Sequence, residues 1–239
     1  MFSSFKLGLQ AHDPARVALV AKLHDYLPSD PLLAATPRDW QVGLPWDPDP
    51  LGNDTWGDCG PAAAVNLLKT LAAITGVTLS LDTNAALALY RALGWDGTFD
   101  GDKGVVLLDL MTKLLSDGVG GVKFDKFFSV GFNDPTHLAS AIAVGGPLLA
   151  GLTLTVACQT TDRWDAEVAA DKRIWGGHAV EVISWSPGLT RAKSWGRPVD
   201  ITPDFLAARC NEMYLAVCKS MRVMSAMDYS RLLQLGGEL

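Results

Sequence analysis

A chain of 239 residues, 49% hydrophobic and 19% charged, has material for one large domain or two small lobes and a substantial core, and shows no sign of disorder. A net charge of −6 and a pI near 5.1 argue against nucleic acid as a main partner, because phosphate contacts require a surplus of Lys and Arg. A membrane span is not expected either. The longest apolar stretch, residues 139–157, is broken by Gly145-Gly146-Pro147 and carries Ser140, Thr153 and Thr155.

Residues 1–6 lack the basic region, apolar core and cleavage site of a secretory leader. Asp13-Pro14 is a helix start signal, and apolar residues at helical spacing predict a helix over 13–27. Proline then recurs through 27–52, which predicts an extended segment lying on a surface. The Ala/Leu-rich run 61–75, with Pro61 near its start and Gly76 after its end, predicts a strong helix. Two more helices are expected at 82–93 and 105–115, and a strand pair or irregular crossing at 122–130.

Asp134-Pro135 opens a further helix to about 144, and strand signals follow at 148–156, 178–185, 190–195 and 212–219. Thr202-Pro203-Asp204 begins a short helix between the last two strands, and 226–235 form a final one. Helices first and strands later make an α+β order, with two lobes meeting at a cleft and a boundary near 118–135.

Two segments carry chemistry. Gly52-Asn53-Asp54-Thr55-Trp56-Gly57-Asp58-Cys59-Gly60-Pro61 puts a cysteine at the mouth of the strong helix, where the positive end of the helix dipole favours a thiolate. A buried structural cysteine fits that segment equally well. Trp175-Gly176-Gly177-His178-Ala179-Val180 reads as a glycine turn running into a strand, with His178 at its first position. A remote Cys and His are the combination that thiol hydrolases bring together in space. The other cysteines, Cys158, Cys210 and Cys218, form no CxxC pair and no disulfide or zinc spacing, so reduced thiols and a cytoplasmic site are expected.

The set resembles papain and the cathepsins, the papain-like cysteine peptidases, over residues 37–219. The matches are Asn53 six residues before Cys59, Gly57 two before it, Gly177-His178-Ala179-Val180, Lys193-Ser194-Trp195-Gly196, the Asp39-Trp40 stretch, and Gly146-Pro147-Leu148. Within that family it is most similar to poorly characterised bacterial and phage proteins with a Gly-Asn-Asp-x-aromatic-Gly-Asp-Cys motif. The resemblance implies a papain-like two-lobed α+β fold in a single domain. Residues 1–36 would be an N-terminal extension, 37–125 a helical lobe with the nucleophile, and 126–239 an antiparallel β-rich lobe with the histidine.

It further implies Cys59 as nucleophile, His178 as base, and Asn53 with the Cys59 amide as oxyanion donors. Trp56, Gly57 and Trp195 would wall the cleft, with Trp195 shielding the His178 ring, and the 96–104 loop would lie beside the cleft. That loop lacks the ligand pattern of an EF-hand and reads as a turn-rich loop.

The chain also departs from the family. Its oxyanion amide is one methylene shorter than the usual Gln. Lys193 stands where an orienting Asn is expected, and an ammonium offers no acceptor to the imidazole. Ser194 or Asp200 are candidate replacements, or the site is a Cys–His dyad. Trp56 takes the place of a disulfide cysteine, and residues 1–36 are short for an inhibitory propeptide, although their helix could pack on the body.

The expected activity is a thiol hydrolase, a cysteine peptidase by default, with isopeptide, amide and acyl-transfer chemistry fitting as well. Its partner would be a peptide or protein substrate, with no cofactor, no metal, no nucleic acid and no membrane. The alternative, favoured by Lys193, is a papain-like domain kept as a binding or structural module, for example in a phage particle. Nothing in the sequence fixes the oligomeric state.

Overall fold

The first helix stops well short of its apolar spacing. In the computed structural model, which describes residues 5–27, 30–224, 230 and 232–234, α1 covers only Pro14–Ala18, capped by the Asp13 side chain. A single turn of 3₁₀ helix follows at Leu23–Asp25. The reason is packing: Val20 is buried in one hydrophobic core and Leu23 in another, so the chain must lie flat across the body rather than coil on. The proline-rich stretch holds the five-residue α2 (Pro31–Ala35) and the two-residue β1 (Arg38–Asp39), and is otherwise irregular. Its tryptophans anchor it, with Trp40 Nε1 donating to Ile142 O at 2.8 Å and Trp46 Nε1 to Gly196 O at 2.8 Å.

The expected helices follow as α3 (Cys59–Thr75), α4 (Thr83–Ala92) and α5 (Leu107–Ser116). α3 ends at Gly76, whose φ of 70° is the left-handed C-cap that glycine adopts without strain. It is buried almost all round through Ala72, which its Ala/Leu composition permits. The 122–130 segment resolves into one strand, β2 (Lys126–Ser129), and α6 (Pro135–Gly145) follows under an Asp134 cap.

The rest is mostly sheet: β3 (Leu148–Thr155), β4 (Arg163–Trp164), α7 (Ala166–Ala170), β5 (Ile174–Ser186), β6 (Leu189–Ser194), β7 (Arg197–Ile201), α8 (Pro203–Arg209) and β8 (Cys210–Val217). β4, α7 and β7 have no counterpart in the sequence reading. The final helix expected at 226–235 falls largely outside the described residues.

The strand order is β2-β8-β3-β5-β6-β7-β4, with β1 pairing on β5. All pairs are antiparallel except β4 with β7. This is the α+β architecture expected from the order of helices and strands. One core joins α3, α4 and α5 to one side of the sheet; the other lies among the strands, α6 and α8. β5 serves both, since alternation sends Ala179 to the α3 side and Val180 and Val182 to the other. The expected glycine turn before His178 is instead strand interior, with Gly176 and Gly177 paired to Leu154 and Thr153 of β3.

Candidate active site

Cys59 is the first residue of α3, and the packing of α3 on β5 carries it to the strand that begins the His178 segment. The Ala179 amide donates to Cys59 Sγ at 3.4 Å, so the thiol lies against the backbone next to His178. Burial pushes the thiol up to about 12, and Asp58 beside it adds to the rise, while the amides of Ala179, Gly8 and Gly60 pull the other way. Burial drives His178 down to about 3. Both groups are therefore neutral in this closed state.

The imidazole is held on two sides. Nε2 shares a hydrogen bond of 2.8 Å with Ser194 Oγ, and Trp195 stacks on the ring with centroids 4.0 Å apart at 16°. Nδ1 is buried without a hydrogen-bond partner. Trp195 reaches the ring through a left-handed backbone, φ 49°, at the turn between β6 and β7. Its indole is flanked by Phe5 and Trp175 and donates to Lys6 O at 3.1 Å.

The other candidates spread out. Lys193 turns away from the ring: it pairs in register with the buried Glu181, its Nζ lies 5.4 Å from the Trp46 ring, and Lys69 and Asp47 form an ion pair beside it. Alternation along β6 explains this, because a strand that points Ser194 at His178 must point Lys193 to the opposite face. Asp200 is taken by Arg191, at 2.8 Å and 3.3 Å, and is no substitute acceptor for the ring. Asn53 is buried, and its Nδ2 donates to Trp56 O at 2.9 Å within the loop before α3. The Trp56 ring packs on Trp95 and Phe99, with centroids 4.7 Å and 4.4 Å away.

The 96–104 loop braces the site. Both oxygens of Asp102 accept the Gly57 amide, at 2.9 Å and 3.1 Å, and Tyr90 links Asp102 to the Gly104 amide.

By sequence, residues 1–36 are short for an inhibitory propeptide, with a helix that could pack on the body, and nothing in them shows where residues 5–12 lie. Residues 5–12 run through the cleft. Lys6 N donates to Asn53 O, Leu9 N to Gly177 O, and Gln10 N to Val105 O, while Val105 N donates back to Gly8 O at 2.7 Å. Glycines on both walls permit the close approach. A Cβ at Gly8 would lie 1.7 Å from Gly57 O, one at Gly104 1.8 Å from Gly8 O, and one at Gly177 2.2 Å from Leu9 O. A side chain at any of these points would push the strap out. The signal in the sequence was glycines facing one another from four separate segments, which is visible only once the fold pairs them.

The structural neighbours of this fold are papain-like cysteine proteases. Xylellain, a cysteine protease from Xylella fastidiosa, superposes with a TM-score of 0.69 at 16% identity, covering 90% of this chain and 96% of that one. The Carica candamarcensis cysteine protease CMS1MS2 gives 0.57 at 18% identity over 76% and 98% of the two chains. Digestive procathepsin L 3 of Tenebrio molitor gives 0.59 at 13% identity over 77% and 70%. No family model and no curated protein matches the sequence. Among the described residues, no helix is long and apolar enough to cross a membrane.

Proposed function

We propose that the chain is a thiol hydrolase, a cysteine peptidase acting on a peptide or protein substrate, held closed by its own residues 5–12. The observation that carries this reading is a thiol at the start of α3 that accepts the amide of Ala179, the residue after His178, together with a His178 ring whose Nε2 is bonded to Ser194, whose Nδ1 has no hydrogen-bond partner, and whose face is covered by Trp195. Once the strap leaves, water and substrate reach the pair, the desolvation that keeps both groups neutral falls away, and the thiol proton passes to the free Nδ1. Sγ then attacks the carbonyl carbon, and the Cys59 amide and Asn53 donate to the oxyanion. Collapse breaks the C–N bond as His178 protonates the leaving amine. Water, deprotonated by His178, next cleaves the thioester, releasing the acid and restoring the thiol.

Lys193 motivated the rival reading, a non-catalytic binding module. With Lys193 on the far face, that reading rests instead on the filled cleft. Four free, buried cysteines suit a reducing compartment, which supports a cytoplasmic assignment, and the motif before Cys59 supports a bacterial or phage source.

The test is an iodoacetamide or epoxide probe near neutral pH on the Gly8→Val chain, in which the strap cannot stay seated. Labelling confined to Cys59 and abolished by His178→Ala is expected. Absence of Cys59 labelling in folded protein whose residues 9 and 10 have lost hydrogen-exchange protection would refute the enzyme reading. In the same background Ser194→Ala is expected to lower the labelling rate about fivefold, because one hydrogen bond of about 1 kcal/mol no longer orients the ring. Ser194→Thr, which keeps the hydroxyl, is expected to recover most of that rate.

A further inference from the structure

Lys193 is a buried cation that the chemistry above does not use. It is 6% exposed, and among the described residues its Nζ has neither a hydrogen-bond acceptor nor an ion-pair partner. Glu181, in register with it on β5, keeps both carboxylate oxygens without a hydrogen-bond partner, and Asp47 is taken by Lys69. What remains is the face of Trp46, 5.4 Å from Nζ. A ring face tempers the charge but does not satisfy three N–H donors as oxygens would. Burial lowers the ammonium from its usual range, while Glu181 and Asp47 pull it back. A buried cation so placed is costly unless an anion reaches it.

The structure leaves room for one. A cavity of about 250 Å³ lies between α3 and the loop before it, with Lys193, Lys69 and Asp47 on its walls beside the apolar Leu44, Pro45 and Ala73. It is separate from the active site: Lys69 lies roughly three turns of α3 beyond Cys59, and β6 turns Lys193 away from His178. Two lysines against one aspartate leave the walls with one positive charge in excess. Glu181, whose carboxyl burial pushes up to about 7, is not among them. At the ~30 Å³ that a water takes in the liquid, the space suits about eight non-hydrogen atoms.

We infer that this cavity binds a small organic monoanion, a carboxylate on an apolar body. The carboxylate oxygens take the free N–H donors of Lys193, and the body lies against Leu44, Pro45 and Ala73. A bare inorganic ion would leave the apolar wall uncovered, and a cation would meet two lysines.

The test is calorimetry on the full native chain with benzoate and with benzamide, which has the same outline and no charge. Benzoate is expected to bind about tenfold more tightly, the advantage of a charge-assisted hydrogen bond over a neutral one. It should also shift the indole N–H resonance of Trp46, which is fixed by its bond to Gly196 O and lies beside Lys193. Lys193→Met keeps an apolar stem and removes the ammonium, so the preference for the acid should fall to near one. Ala73→Phe, at an exposed position of α3, plugs the cavity and should abolish the binding of both, which decides the matter even where Lys193→Met does not fold. Absence of saturable benzoate binding, equal affinities for acid and amide, a preference that survives Lys193→Met, or binding undisturbed by Ala73→Phe would each overturn the assignment.

Discussion

Replacing Gly8 by valine is expected to raise the rate at which Cys59 reacts with iodoacetamide by two to three orders of magnitude. In the native chain the strap is held across the cleft by four backbone hydrogen bonds to Asn53, Gly177 and Val105. At about 1 kcal/mol each they make the closed state favoured by about 4 kcal/mol, or roughly a thousandfold. Valine cannot sit where its Cβ meets the backbone oxygen of Gly57 at 1.7 Å. The whole preference for the closed state is therefore lost. Mass spectrometry of alkylated peptides over a time course gives the rate, and hydrogen exchange at residues 9 and 10 reports the strap. An unchanged labelling rate with those amides deprotected would show that the strap does not control access to the thiol.

Asp58→Asn is expected to stabilise the protein, and to do so increasingly as the pH rises from 6.5 to 9. Burial pushes the Asp58 carboxyl up to about 8 from an ordinary value near 4. A group whose folded pKa is raised gives its full stability below the unfolded value and loses it as the pH climbs through the folded one. Between those limits the native state must keep a carboxyl protonated that the unfolded chain ionises freely. Asparagine has the same shape and no such requirement. Glu181, pushed up to about 7 by burial, slopes the same way in both proteins and cancels in the comparison.

His178 acts oppositely. Its folded value near 3 gives stability that is present above its unfolded value near 6.5 and lost on the acid side, so it is flat in the chosen window. The expected gain at pH 9 is about 2–5 kcal/mol, discounted for relaxation around the site, or a Tm increase on the order of 5–15 °C. Thermal scans at pH 6.5 and 9 would reveal it, and a Tm difference independent of pH would contradict the burial of a protonated Asp58.

The order of helices and strands was legible because long periodic segments such as 59–75 and 148–155 carry their signal locally. Pairing partners were less so: β7 went unseen because Arg197-Pro198 and Asp200 give no alternation, and its strand character comes from β6 beside it. Cys59 and His178 stood out from their surroundings, since a cysteine at a helix mouth and a histidine beside glycines are both local features. The partner of the ring did not. Lys193 takes the orienting position in the Lys193-Ser194-Trp195-Gly196 match, but alternation along β6 turns Ser194 to the ring and Lys193 to the other face. The strap was hidden for another reason. Its hydrogen bonds to Asn53, Gly177 and Val105 run backbone to backbone, so the sequence does not announce them, and the absence of side chains at Gly57, Gly104 and Gly177 marks where it runs.

That strap is part of the chain it closes, which gives it the arithmetic of a tethered ligand rather than that of a free inhibitor. Its effective concentration at the cleft is set by the short span between its anchor at α1 and the site, and does not fall when the protein is diluted. Opening is therefore unimolecular: its extent would be the same in a crowded cell and in a cuvette. An external peptide must outcompete a neighbour that never diffuses away. A single cut in the chain between the strap and α1 would convert it into an ordinary, weakly bound peptide that dilution alone removes.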